Sequence, residues 1–143
     1  MSSITSANSV LLIGVTSLFA IPQQLQGFAT DDMFSMDMIE SAEVQMGADG
    51  RMAAGWIPQI KNMNVTLQAN SKSNDFFEAW YSAQEAAREV YSAFGTAVQP
   101  SIGKAYILSN GILTNYTPLS EAKKLLQPRK FQIKWESALG API

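Results

Sequence analysis

Asp31, Asp32, Asp37 and Glu40 bring four carboxylates within ten residues. Carboxylates that close can do two kinds of chemistry. One can hold a proton while its neighbour stays ionised, the arrangement used in general acid–base catalysis. Several together can ligate a hard cation such as calcium through oxygen. The rest of the chain supplies no companion for either task. It has no His and no Cys, which removes imidazole bases, thiolate nucleophiles, disulfides and the usual zinc ligand sets. No phosphate-binding glycine loop or serine elbow is present, and the acid spacing fits no EF-hand loop. No enzymatic activity, bound metal or cofactor is expected.

The acids belong to a wider asymmetry. The first fifty residues carry six acids, Asp31, Asp32, Asp37, Glu40, Glu43 and Asp49, and no base. All ten bases follow, beginning with Arg51, against six further acids. The two parts therefore run −6 and +4 in a chain of net charge −2. An acidic face on a folded element suits a surface that must not hold a polyanion. Lys123, Lys124, Arg129 and Lys130 lie close together and would grip nucleic-acid phosphates if they faced a duplex. The acidic half opposes that reading, so the basic side is expected to meet acidic neighbours instead.

A chain of 143 residues is expected to form one domain, 1–143, with a polar amino-terminal arm at 1–8 and an apolar tail at 137–143. Apolar residues make up 47% and charged residues 15%, against a typical ~25% charged. Such a surface is either rich in Ser, Asn and Gln or buried against partners. The apolar run 10–21 has the hydropathy of a signal-peptide core. No Lys or Arg precedes it, however, and it is too short to span a bilayer as a helix. It reads as a buried first strand, and no membrane association is expected.

The elements that position the acids follow from periodicity. Residues 34–46 alternate, with Ser35, Asp37, Ser41, Glu43 and Gln45 on one side and Phe34, Met36, Met38, Val44 and Met46 on the other. Ile39 and Glu40 break the alternation. As one strand these thirteen residues would reach about 43 Å. Gly47-Ala48-Asp49-Gly50 supplies a turn, and 51–56 returns as the second arm of a long hairpin, limited by Gly55 and Pro58. Residues 61–70 alternate again, and their polar side is uncharged. A helix is predicted over 76–94, with Asn74 or Asp75 as N-cap and Gly95 as its stop. Asn110-Gly111 between two apolar runs predicts a tight hairpin over 104–116. Thr117-Pro118 opens a predicted short helix to Leu126, and 131–135 forms a half-buried last strand. The expected class is α+β: an antiparallel β-sandwich or barrel with a long hairpin and one packed helix.

The alternating strand, the Gly47-Ala48-Asp49-Gly50 turn, Val65-Thr66-Leu67, Ser71-Lys72-Ser73-Asn74-Asp75 opening a helix, and Phe131 to Trp135 together resemble the tail tube proteins of contractile-tailed bacteriophages. That family is similar to the tube proteins of type VI secretion systems. The resemblance implies hexameric rings stacked into a hollow tube, a sheath outside, and baseplate and tail-terminator proteins at the ends. Tape measure protein and then genomic DNA would occupy the lumen without tight binding. It also implies a virion component of the tail, assembled in the host cytoplasm. A baseplate ring, a tail-terminator ring and a type VI-like tube are the other placements such a chain permits.

Placed in that context, Asp37 and Glu43 are expected to face the lumen first, then Asp31, Asp32 and Asp49. Duplex DNA carries one charge per about 1.7 Å of axis, and an acidic wall repels it over a screening length of about 8 Å at physiological salt. Exposed strand edges and apolar termini are the usual assembly devices. Val10, Leu12, Gly47, Asp49, Gly50, Arg51 and Ile143 are therefore candidates for inter-subunit contacts. Glu40 is expected to pair with a base from a neighbouring subunit.

Overall fold

The computed structural model describes residues 3–29 and 33–143. The elements in chain order are β1 (Val10–Val15), β2 (Phe19–Gln24), β3 (Phe34–Met36), β4 (Ala42–Met46), β5 (Met52–Trp56) and β6 (Lys61–Leu67). Then come α1 (Asn74–Ala87), β7 (Ala93–Gln99), a 3-10 turn (Pro100–Ile102), β8 (Lys104–Tyr116) and β9 (Arg129–Pro142). Seven strands form one antiparallel sheet in the order β2-β1-β7-β8-β9-β6-β3, and β4 and β5 form a separate hairpin. The architecture is α+β and sandwich-like. The sheet does not close into a barrel, because β2 and β3 are left as its edges. Pro22 sits on the β2 edge, where its missing N–H costs no ladder bond.

Alternation sorts each strand between two faces. Leu11, Ile13 and Val15 of β1, Met63, Val65 and Leu67 of β6, and Phe131, Ile133 and Trp135 of β9 are all buried on one face. The helix closes that face. Its Phe76, Phe77 and Trp80 are buried, and Phe77 stacks on Phe131 with ring centroids 4.1 Å apart. Trp80 Nε1 donates to the Tyr91 carbonyl at 3.2 Å. Gln84 Oε1 accepts from the Tyr91 N–H at 3.2 Å, which turns the chain back after the helix.

Several sequence expectations are corrected. The long strand over 34–46 is broken: β3 ends at Met36, β4 begins at Ala42, and 37–41 is not strand. The break falls at Ile39 and Glu40, where the alternation fails. The helix stops at Ala87 with Arg88 left-handed at φ 54°, not at Gly95. Residues 93–99 are strand, because Ala93, Gly95 and Ala97 pair with β1 and bury their side of the sheet. Ser73, not Asn74 or Asp75, is the N-cap. The Asn74 side chain is buried and instead donates to the carbonyls of Gln68 at 3.0 Å and Ala69 at 3.3 Å.

Asn110-Gly111 is not a hairpin turn. β8 runs straight through it for 13 residues, paired along its length with β9. Asn110 takes φ 50° where β8 carries an extra residue against β7. The apolar tail belongs to the sheet, since 137–142 pair with 104–109 of the same chain. The predicted helix after Thr117 is absent, and 117–128 is a loop with one isolated bridge between Ala122 and Leu126. Ten residues with good capping chemistry do not hold a helix when no surface covers their apolar side.

Arg129 ends that loop and is buried, so it is not part of an exposed basic cluster. Its Nη1 donates to Glu78 Oε1 at 2.7 Å. Its Nε and Nη2 donate to the Thr117 carbonyl at 3.1 and 2.9 Å, and Nη2 also donates to the Tyr116 hydroxyl at 3.0 Å. One guanidinium thus ties the helix to both ends of the loop.

Two stability effects follow. A Cβ on Gly111 would lie 2.5 Å from the Trp135 ring. Gly111→Ala should cost about 1–3 kcal/mol through overpacking, read as a lower urea midpoint with unchanged slope. Glu78→Ala leaves the buried guanidinium without its counter-charge. Because the Glu78 side chain is 47% exposed, water can reach the gap. The loss should therefore be about 1–3 kcal/mol, the scale of a hydrogen bond to a charged group, and below the ~3–5 kcal/mol of a wholly buried pair. The same urea titration measures it.

Candidate assembly surface

The structure separates the acids that the sequence placed on one strand. Asp37 follows β3 on the outer face of the main sheet. Its carboxylate accepts from the side-chain amides of Asn62 and Asn64, the latter at 2.9 Å. Asn64 Oδ1 in turn accepts from Gln132 Nε2 at 3.1 Å, so an amide ladder crosses β6 and β9. This is the uncharged polar side that 61–70 predicts. Alternation puts Lys130, Lys134 and Glu136 of β9 on the same outer face, and Asn62 is paired with Lys134 in register. Glu136 accepts from the Asn110 amide. The charges of this face are therefore balanced, with Asp37 and Glu136 against the two lysines.

Glu43 lies on the separate hairpin, and Glu40 lies in the exposed connection before it. Asp49 is in the hairpin turn. Its Oδ1 accepts the Arg51 N–H at 3.0 Å, and its other oxygen is 4.0 Å from the Arg51 side chain. Gly50 takes φ 81° there, and Gly47 N–H donates to the Arg51 carbonyl at 2.8 Å. Asp49 and Arg51 thus have an intramolecular task as well as their candidate role. Asp31 and Asp32 lie outside the described residues. Among the described residues, no group of three or more acids comes together as a cation site.

The hairpin is the largest feature that sequence reasoning undervalued. In its register Ala42 faces Trp56, Val44 faces Ala54 and Met46 faces Met52, which places these six on one side. Glu43, Gln45, Ala53 and Gly55 share the other. All ten residues of β4 and β5 are exposed, with Trp56 at 77% and Met46 at 68%. Met38, beside it, is fully exposed. The signal for it in the sequence is the second arm, where Met52, Ala54 and Trp56 alternate to complete the apolar side of Ala42, Val44 and Met46.

A second uncovered apolar surface lies on the outer face of the main sheet. Val10, Val98, Ala105 and Ala141 form one row across β1, β7, β8 and β9. Leu12, Thr96, Ile107 and Leu139 form the next. Ile107 and Leu139 are exposed. The candidates Val10 and Leu12 belong to this patch. Ile143 is exposed at its margin, with its N–H donating to Gly103 O at 2.9 Å. No helix among the described residues is long and apolar enough to cross a membrane.

This shape is shared with parts of contractile particles. A chain of an extracellular contractile injection system, in a PVC sheath-tube complex in the extended state, aligns with a TM-score of 0.65 at 12% identity. The alignment covers 99% of this chain and 93% of that one. A chain of the anti-feeding prophage baseplate aligns at 0.61 and 7% identity, over 99% and 97%. A chain of the tube-terminating cap of the same particle aligns at 0.60 and 9% identity, over 100% and 93%. At such identities the likeness establishes a common fold. No curated protein matches the chain by sequence. A family profile does match, over residues 2–139, and by it the chain belongs to the tail fiber protein gp32 family.

Proposed function

We propose that this protein is a tube component of a contractile tail, forming hexameric rings that stack into a hollow conduit through which genomic DNA passes. The observation that carries the reading is the union of this fold with apolar surface that the described residues leave bare, on the hairpin and on the outer face of the sheet. Monomeric proteins rarely expose patches of this kind, and an uncovered hairpin is a natural contact between subunits. The sheath would lie outside, baseplate and terminator proteins at the ends, and tape measure protein in the lumen before the DNA. A baseplate or terminating ring is the second reading, favoured by the likeness to the anti-feeding prophage baseplate and cap chains.

The charge pattern fits a wall that does not hold DNA. The sheet face is balanced, and the segment 37–56 carries four acids against one base. Asp37 beside the amide ladder, Glu43 on the polar side of the hairpin, and Asp49 at its turn are the acids proposed to face the lumen, with Asp31 and Asp32. Repulsion would act over about 8 Å at physiological salt, enough to keep phosphates from settling on the wall.

Two outcomes are expected. Purified protein should polymerise into hollow tubes visible by negative-stain electron microscopy. Rings that never stack would favour the terminator reading, and persistent monomers would contradict both. Asp37→Asn, which keeps an oxygen acceptor for the Asn62 and Asn64 amides, combined with Glu43→Lys should leave tubes intact and impair genome ejection from assembled particles. Unchanged ejection would remove these acids from the lumen.

A further inference from the structure

The hairpin and the 117–128 loop leave the sheet at opposite ends. In the β6–β9 ladder Lys61 is paired with Trp135 and Leu67 with Arg129. The hairpin segment joins the chain at the Lys61 end, and the loop joins it at the Arg129 end. The seven residues of β6 set the two about 20 Å apart. They are therefore not placed to cover each other within one copy.

The two surfaces are alike in one property and opposite in another. Each exposes large apolar side chains that no described residue covers: Leu119, Leu125 and Leu126 on the loop, and Val44, Met52 and Trp56 on the hairpin. Their charges differ in sign. The loop carries Lys123 and Lys124 against Glu121, whereas the segment 37–56 carries four acids against Arg51. Glu40 lies two residues before Ala42, the first residue of the apolar side of the hairpin.

We infer that the leucines of the 117–128 loop of one copy dock on the apolar side of the β4–β5 hairpin of the next, with Lys124 meeting Glu40, while Lys123 pairs with Glu121 of its own loop. The inference rests on the tube reading above and names two surfaces that join one copy to the next within it. Two different patches at opposite ends of one molecule make a head-to-tail contact, which closes a ring or propagates along an axis instead of closing a dimer. Charge of opposite sign sets the polarity, since hairpin on hairpin or loop on loop would juxtapose like charges. Arg129 anchors the loop to the helix through Glu78 and Thr117, so the loop is presented from a fixed base.

The absence of native cysteine makes the test direct. Leu125→Cys and Val44→Cys are prepared as separate single variants, both at exposed positions, then mixed and treated with a mild oxidant such as diamide. A disulfide requires Cα atoms within about 7 Å, so the mixed product reports contact. The mixed disulfide should be the main product, and Gln45→Cys, on the other side of the hairpin, should give none with Leu125→Cys. Tubes without the mixed disulfide, or products joining like to like, would overturn this contact and leave the tube reading standing. A mixed disulfide in finite oligomers that never become tubes would support the contact and overturn the tube. Neither tubes nor mixed disulfide would overturn both.

Discussion

The apolar side of the β4–β5 hairpin is exposed, and no described residue covers it. Two paired strands have no core of their own, and a hairpin of this size alone is marginal in water. Val44, Met46, Met52 and Trp56 would be a poor surface for a monomer, yet the sheet–helix core elsewhere is complete without them. The core of the body is complete without the hairpin, and on the proposed reading a second molecule covers it.

The body is built to hold that hairpin out. β3 and β6 pair for only three residues before the chain departs at Asp37 and returns at Lys61. The amides of Asn62 and Asn64 fix the Asp37 carboxylate at the point of departure. At the other end of the sheet, Arg129 holds the start of the exposed loop by its carbonyl and the helix by Glu78. The aromatic stack of Phe77 on Phe131 locks the helix across the same strand. Rigidity in the middle gives both exposed ends a defined separation, as the proposed stacking would need.

What was legible in the chain was local. The Gly47–Gly50 turn, the alternation over 61–67 and the amphipathic start of the helix each depend on neighbours a few residues away. The errors came where tertiary pairing overrode local chemistry. Asn110-Gly111 has the composition of a turn, but pairing with β9 on both sides of it holds β8 straight, and Trp135 packs where a Cβ would have been. Val90, Tyr91 and Phe94 extend a helical stripe, yet Ala93, Gly95 and Ala97 are needed between β1 and β8. Thr117-Pro118 has helix-start chemistry without a surface to support a helix. Asp37 and Glu43 share a face only if the strand over 34–46 is unbroken. The fault at Ile39 and Glu40 was visible in the sequence, but its consequence was not: it divides Asp37 on the sheet from Glu43 on the hairpin.

The central claim is that the hairpin finds its cover only in the assembly. Amide hydrogen exchange across Ala42–Met46 and Met52–Trp56 measures this directly, compared between dilute monomer and assembled protein. The account predicts rapid exchange in the monomer and strong protection after assembly, with the buried strands β6 and β9 protected in both. Equal exchange of the hairpin in the two states would contradict it.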